Sequence, residues 1–401
     1  MAVAKGQVMA TVFLVLLFIS YITLGLPDSA WGTAWPFMRE ALGMPIASAG
    51  IFTMVVTACS AVSSAIMPKI SKKVGPGLIL AVCSLMTGAG ILGVYFANNF
   101  YVIVAIGVVL GVAGGGVDVS VNDFVADHYS SGVMNVTHAM WGVGAFIGPL
   151  IITEVMNKYG NWRTGFLVLA IVQLVFAVVL FASLPLWKKK LPPIVKHDIE
   201  LVPTAQNKQK AILALVVMAV LYFVYTGVEQ IVGSWLNTLL IEKRMFSASL
   251  GGACVSCYYG SIMVGRIVFS LFSSKIGNRL TIYIGLGIAV VGAGLFFITD
   301  SVPATFVAIV MIGLGFAPFY PCNMHEAKLR FSADMSKKAI GVQVCSACFG
   351  ILALSPSVGL LIQHVGHEML PVVTAVLIAV LVIFTIIINR LTKPQNTKTT
   401  V

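Results

Sequence analysis

Three acidic residues of this sequence stand inside long apolar stretches, where a charge is costly. Asp28 follows the uncharged run 8-VMATVFLVLLFISYITL-24, Asp118 lies within 111-GVAGGGVDVSVNDFVADHYS-130, and Glu229 lies in a third apolar run. Burial disfavours the charged form of a carboxyl group, so such an acid can take up and release a proton near neutral pH. Asp28, Asp118 and Glu229 are therefore candidates for proton coupling. The alternative is an acid that is hydrogen-bonded between helices for structural reasons.

Polar and aromatic residues near these acids could bind a hydroxylated solute. Asn122 lies one helical turn after Asp118 on the same face, so its amide could donate where the carboxylate accepts. His138 and Trp141 also share a helix face; the histidine is either a proton relay or solute ligand, or a contact between helices. Sugars suit apolar pockets with a few placed polar groups. Further candidates of this kind are Trp31, Trp35, Tyr222, Tyr225, Gln230, Trp235, Tyr320, Asn323 and Gln343, although Trp31 and Trp35 could equally lie at the membrane interface.

The elements that must position these residues are membrane-spanning helices. The 401 residues are 59% hydrophobic and only 10% charged, against about 25% charged in soluble domains. Apolar runs long enough to cross a bilayer recur along the whole chain. They predict an all-α polytopic membrane protein with twelve spans, the first too long for a signal peptide. The spans are expected roughly at 8–38, 46–68, 77–97, 101–125, 134–157, 163–187, 211–240, 247–273, 280–299, 304–326, 338–364 and 370–390.

The net charge of +11 follows from topology and does not indicate a nucleic-acid partner. If both termini are cytoplasmic, most of the 25 Lys and Arg residues, Arg266 among them, fall on the cytoplasmic side. This asymmetry is the positive-inside pattern. It predicts a multi-pass protein of the cell membrane, plasma or inner, with both termini in the cytoplasm.

One polar stretch divides the chain into two related halves. The segment 188-KKKLPPIVKHDIELVPTAQNKQK-210 reads as a cytoplasmic linker between two six-helix bundles, 1–187 and 211–391, and 392–401 as a cytoplasmic tail. The halves are similar: 21-YITLGLPDSAWGTAW-35 aligns with 222-YFVYTGVEQIVGSWL-236 and places Asp28 opposite Glu229. Gly and Pro interrupt spans one and seven at matching places, which points to a solute site there; in span one, Gly25, Pro27, Gly32 and Pro36 are expected to bend a helix that continues.

The cysteines are not predicted to bind a metal ion. All seven lie in predicted spans, and the pairs 254-CVSC-257 and 345-CSAC-348 are better explained as small residues at helix contacts than as metal ligands. No nucleotide-binding loop or acid–base–nucleophile set stands out. We therefore expect no enzyme activity and no cofactor other than protons as the coupling ion.

The sequence resembles the fucose–proton symporter branch of the major facilitator superfamily over nearly its whole length. The resemblance rests on stretches such as 25-GLPDSAWGTAWP-36, 114-GGGVDVSVNDFV-125, 135-NVTHAMWGVGAFIGP-149, 259-YGSIMVGRIVFSLFSSKIGNR-279 and 314-LGFAPFYP-321. It implies that Asp28 and Asp118 serve proton coupling and sugar recognition, and Asn122 matches an asparagine of that branch. His138 and Trp141 stand where the branch has glutamine and asparagine, so fucose itself is not implied.

Together these features predict a secondary active transporter. The leading interpretation is proton-coupled symport of a sugar or related small polar solute by alternating access, performed by a monomer among membrane lipids. The alternative is a proton-driven exporter of drugs or metabolites. Drug antiporters carry a longer glycine-rich motif in helix five, of which 144-GAFIGP-149 matches only the middle.

Overall fold

The computed structural model describes residues 2–129, 131–189, 208–298, 301–331 and 333–392, and these residues are almost entirely helical. Apolar side chains that face lipid and backbone groups that bond within their own segment account for this. The helices are α1 Ala2–Leu42, α2 Ser48–Val74, α3 Pro76–Phe96, α4 Phe100–His128, α5 Ser131–Tyr159, α6 Trp162–Lys189, α7 Lys208–Glu242, α8 Ala248–Ile276, α9 Asn278–Ile298, α10 Val302–Phe316, α11 Phe319–Arg330, α12 Ala333–Val365 and α13 Met369–Leu391.

Twelve stretches of the described chain are long and apolar enough to cross a membrane, which confirms the predicted number of spans. Most spans are single helices. The tenth, Val302–Ala327, is built from α10 and α11 together. Its helix breaks at Ala317 and Pro318, because a proline cannot supply the N–H that would continue the ladder. Two membrane faces follow: the terminal side, where α1 begins and α13 ends, and the far side opposite.

Span one continues through its Gly and Pro residues, as expected, and neither it nor span seven is broken at the matching places. Helix α1 continues through Pro27 and Pro36, and α7 is continuous from Lys208 to Glu242. The small residues in these helices allow close approach instead: a Cβ on Gly32 would lie 2.7 Å from the carbonyl oxygen of Gly233. Close packing of this kind is typical of glycine in membrane helices. The break occurs in span ten, where the sequence analysis did not place it.

The two bundles repeat one packing scheme. In the first bundle α1 packs on α5, α2 on α4 and α3 on α6. In the second, α7 packs on α12, α8 on α10 and α9 on α13, so the first span again pairs with the fifth, the second with the fourth and the third with the sixth. This confirms the predicted fold class of two pseudo-symmetric bundles. Residues 190–207 of the expected linker and 393–401 of the expected tail lie outside the described residues.

The bundles meet at their far-side halves. Helix α1 contacts α7, α2 contacts α12, and α5 contacts α8. Asn237 of α7 donates from Nδ2 to the carbonyl oxygen of Thr33 in α1 at 2.6 Å, and Asn157 of α5 donates to the Ser249 hydroxyl of α8 at 2.6 Å. These residues lie in the far-side parts of their helices, so the space between the bundles opens toward the terminal side.

Candidate transport site

Asp28 faces this space. It lies in the middle of the long helix α1, yet it is exposed, while its neighbours Leu26, Ser29 and Ala30 are buried. A side chain at membrane depth can be exposed in this way only if it lines an opening between helices or faces lipid. Trp141 of α5 donates from Nε1 to Asp28 Oδ2 at 3.0 Å, which places the carboxylate between α1 and α5 rather than on a lipid-facing surface.

Glycines set the distance between α1 and α5. A Cβ on Gly144 would collide with the carbonyl oxygen of Ile22, and one on Gly148 with that of Leu26. Gly25 of α1 faces the carbonyl oxygen of Trp141 in the same way. The two backbones can therefore approach closely enough for the indole of Trp141 to reach Asp28.

Asp118 is the centre of a second hydrogen-bonded group. The Tyr21 hydroxyl donates to Asp118 Oδ1 at 2.7 Å, and Asn122 donates from Nδ2 to the same oxygen at 3.2 Å. The ring of His138 lies edge-on to the Tyr21 ring at 5.4 Å between centroids. Helices α1 and α4 thus meet at one carboxylate, and α5 packs against Tyr21 beside it. Asn122 and His138 are where the sequence analysis expected them, but Tyr21 was missed, although it lies seven residues before Asp28 and so near the same helix face.

Glu229 lies in the opposite wall and is paired with an arginine. Arg266 Nη2 lies 3.7 Å from Glu229 Oε1. Arg266 was predicted to belong to the basic residues of the cytoplasmic side, and this was wrong. It lies seven residues before the end of the span Ala248–Ser273, roughly 10 Å into it. The signal was present in the sequence, because 259-YGSIMVGRIVFSLF-272 contains no other charge.

The two walls are close enough to act as one site. The Trp141 ring lies edge-on to Tyr259 of α8 with 5.8 Å between centroids. Asp28 and Asp118 lie within electrostatic range of each other, and Arg266 lies within range of His138 and Tyr320. The structure therefore brings together seven predicted residues, namely Asp28, Asp118, Asn122, His138, Trp141, Glu229 and Tyr320.

Four predicted solute ligands of the second bundle have a structural task instead. The Tyr222 hydroxyl donates to the Tyr320 carbonyl oxygen at 2.9 Å, and that of Tyr225 to the Phe316 carbonyl oxygen at 3.2 Å. Asn323 donates to the Phe319 carbonyl oxygen at 3.0 Å, and Gln343 to that of Asn323 at 3.4 Å. These bonds attach the four side chains to backbone carbonyl oxygens of α10 and α11. All four side chains are buried.

The tryptophans predicted near the solute lie in the helix packing instead. Trp31 stacks on Phe52 at 3.6 Å between centroids, and Trp35 donates from Nε1 to the Ile46 carbonyl oxygen at 2.9 Å. Trp235 donates to the Ser355 carbonyl oxygen at 3.0 Å. All three indoles are buried, so none is available to a solute in this conformation. Gln230 is half-buried and donates to the Ser234 hydroxyl at 2.9 Å in its own helix.

An ion-pair network joins the bundles at the far side. Arg39 at the end of α1 donates from Nε to Glu242 Oε1 at 2.7 Å, and His367 Nε2 lies 3.1 Å from Glu242 Oε2. The side chains of Arg39 and Glu242 are 27% and 15% exposed, so the pair is largely shielded from water. The network closes the face opposite the opening. Within the described residues no group of three or more His, Cys, Asp or Glu could hold a metal ion.

Comparison with known proteins agrees with this architecture. The family model of the Major Facilitator Superfamily matches residues 17–355 and 218–400, and the chain belongs to this family. The glucose/mannose transporter GlcP of Bacillus subtilis (strain 168) is 21% identical over 354 residues, which cover 84% of this chain and 85% of GlcP. Members of the family are membrane transporters rather than enzymes and need no cofactor.

Solved transporters share the fold. A bacterial homologue of the human lysosomal transporter Spinster, inward-facing and occupied, superposes with a TM-score of 0.71 at 14% identity and covers 95% of each chain. A POT family transporter in complex with 5-aminolevulinic acid gives a TM-score of 0.74 at 15% identity, covering 94% of this chain and 95% of its own. The nucleoside transporter NupG gives a TM-score of 0.69 at 13% identity, covering 95% of this chain and 99% of its own. At such identities the likeness concerns the fold alone.

Proposed function

We propose that this transporter moves a sugar or related small polar solute together with protons. The observation that carries the proposal is the bonding of Asp28 and Asp118. Each carboxylate lies at membrane depth beside the space between the bundles and is held by uncharged donors, from Trp141 in one case and from Tyr21 and Asn122 in the other. Within the described residues, neither acid forms a salt bridge. An acid without a cation partner can exist in both protonation states, as a proton carrier must.

The same groups suit a hydroxylated solute. The Oδ1 atom of Asn122 is buried without a hydrogen-bond partner among the described residues, and an unused buried acceptor favours a ligand that donates to it. Trp141 and Tyr259 supply aromatic surface at the other end of the site. An apolar cavity with a few placed polar groups is the usual form of a sugar site. Similarity to GlcP supports the same solute class, and the fucose–proton symporter branch stays a prediction.

Transport follows from rocking of the two bundles about this site. With cytoplasmic termini, the present conformation is inward-facing in the cell membrane. To face outward, the bundles separate at Arg39–Glu242 and Asn237–Thr33 and close at the terminal side. Protonation of Asp118, and of Asp28, neutralises the first wall and accompanies solute binding. Glu229 has Arg266 beside it and is the weaker proton carrier of the three predicted acids.

The direct test is pH-gradient-driven uptake by the purified protein in proteoliposomes, across a panel of sugars and one cationic drug. We expect accumulation of a sugar that collapses with the gradient. Asp118→Asn should retain solute exchange and lose proton-driven accumulation, because the amide cannot carry a proton. Asp127→Asn is the matched control, since Asp127 is exposed near the end of the same helix.

Two outcomes contradict the proposal. Full accumulation by Asp118→Asn would remove this residue from the coupling mechanism. Movement of the drug but of no sugar would favour the proton-driven exporter instead.

A further inference from the structure

Arg266 is the least satisfied charged group of the cavity. The 3.7 Å from its Nη2 to Glu229 Oε1 is too long for a hydrogen bond. Its Nε atom is buried and has no hydrogen-bond partner among the described residues. A guanidinium has five N–H donors in a planar fork, and buried donors left unpaired cost free energy. The ion pair therefore uses only part of the binding capacity of this side chain.

The position of Arg266 makes that capacity available to a solute. Met263, three residues earlier and near the same face of α8, packs where Gly142 of α5 leaves room for it. Arg266 lies on the terminal side of this contact, in the direction in which the space between the bundles opens. Its side chain is 18% exposed. Its electrostatic neighbours are His138 across the space and Tyr225 and Tyr320 of its own bundle.

We propose that Arg266 binds a carboxylate of the solute, so that the site takes sugar acids in preference to neutral sugars. A carboxylate matches the guanidinium fork and can displace Glu229 as the counter-charge. The hydroxyl groups of the same solute are then directed to Asn122 and Asp118 on the first wall. This inference rests on the proposed function and narrows its solute class.

Charge balance favours a carboxylate over a phosphate. When Asp28 and Asp118 are protonated, the charges of Glu229 and Arg266 cancel, and a monoanionic solute adds a single negative charge. A dianionic phosphate would add two within range of Glu229, which increases the repulsion. Two protonatable acids on the first wall also allow more than one proton to accompany an anion.

The test compares glucose with glucuronate, which differ only in oxidation of the C6 carbon to a carboxylate. Dissociation constants are measured by calorimetry on the purified full-length protein. We expect wild type to bind glucuronate about tenfold more tightly than glucose, as a close charge pair allows. In the double variant Glu229→Gln/Arg266→Gln the preference for glucuronate over glucose should disappear.

The single variant Glu229→Gln separates ligand binding from a structural role. It removes the internal competitor for the guanidinium, so the ratio of glucuronate to glucose affinity should rise, whereas a purely structural effect would weaken both ligands equally and leave the ratio unchanged. Equal affinities in wild type, or a preference that survives in the double variant, would overturn the inference. If glucose is accumulated in proteoliposomes but glucuronate is not preferred, only this inference fails. If neither compound binds nor is accumulated, the proposed function fails with it.

Discussion

The two walls of the cavity hold their acids by different means. On the first wall, Asp28 and Asp118 accept hydrogen bonds from an indole, a phenol and an amide, which are all uncharged. On the second wall, Glu229 faces the guanidinium of Arg266. Asp28 and Glu229 occupy equivalent positions in the two halves of the sequence. The acids at these equivalent positions therefore lie in two different electrostatic environments.

This difference separates two tasks. In the proposed function, the acids of the first wall exchange protons during a transport cycle, because uncharged donors stabilise a carboxylate without fixing its charge. Glu229 instead lies beside the guanidinium of Arg266 and is its counter-charge. In the mechanism proposed above, one bundle serves proton coupling and the other recognises charge in the solute.

The largest expected effect is on the stability of the second wall. Glu229→Gln leaves the guanidinium in the cavity wall without a counter-charge, and loss of one partner of a buried pair costs about 3 kcal/mol. Arg266→Gln should cost less, because the stranded carboxyl group can take a proton whereas a guanidinium cannot lose one. Unfolding temperatures of the purified variants measure the difference.

The double variant and the first wall provide the controls for that experiment. Glu229→Gln/Arg266→Gln should recover most of the loss, and Asp28→Asn should change the unfolding temperature little, because its indole donor remains. Equal losses for both single variants of the pair, or a large loss for Asp28→Asn, would contradict the distinction between the walls.

A second test compares the cavity pair with the far-side pair. Glu242→Gln weakens the contact that joins α1, α7 and the residues before α13, at a cost of about 1–2 kcal/mol for a partly shielded network. The protein should then open at the far side more often. Spin labels at Met44 and Met245, in the far-side loops of the two bundles, would report this as a larger population of long distances.

The label experiment has an internal control away from the far side. It requires replacement of the seven free cysteines. Asp127→Asn in the same background should leave the distance distribution unchanged. If Glu242→Gln also leaves it unchanged, the network contributes nothing to closure of the far side.

Much of the fold was predictable because each membrane span requires a continuous apolar run, which is visible along the sequence. Twenty-residue apolar runs gave the twelve spans, and the similarity between the halves gave the two bundles. The break at Ala317 and Pro318 was not predicted, because proline is tolerated within α1 and the sequence does not show which proline interrupts a helix. Neighbouring backbone donors and side chains decide this, and they are known only from the packing.

The sequence predicted how deep the site residues lie in the membrane, but not in which direction their side chains point. Asp28, Asp118 and Glu229 were found because charge at membrane depth is rare. Helical spacing does not show which aromatic side chains point into the cavity. Trp35 and Trp235 satisfy backbone carbonyls in the packing, whereas Trp141 reaches Asp28. Arg266 was not predicted as a site residue, because it was assigned to the basic residues of the cytoplasmic side although its run of apolar neighbours places it within a span.

The smallest expected effect concerns a single hydrogen bond of the first wall. Trp141→Phe keeps an aromatic ring against Tyr259 but removes the Nε1 donor to Asp28. A hydrogen bond to a charged group contributes about 1.5–3 kcal/mol, and Asp28 is exposed enough for water to replace part of it. We therefore expect the KM for solute to rise about fivefold, with the stability of the protein little changed.

The matched control is Trp187→Phe. Trp187 donates from Nε1 to the Ser183 hydroxyl at 3.2 Å within α6, away from the cavity, so this substitution removes the same kind of bond without touching Asp28. If Trp187→Phe raises the KM as much as Trp141→Phe, the effect belongs to the packing of the bundle. If only Trp141→Phe raises the KM, Asp28 lies in the solute path and its hydrogen bond from Trp141 contributes to solute binding. Glu229 differs, because its partner is the cation Arg266 rather than an uncharged donor.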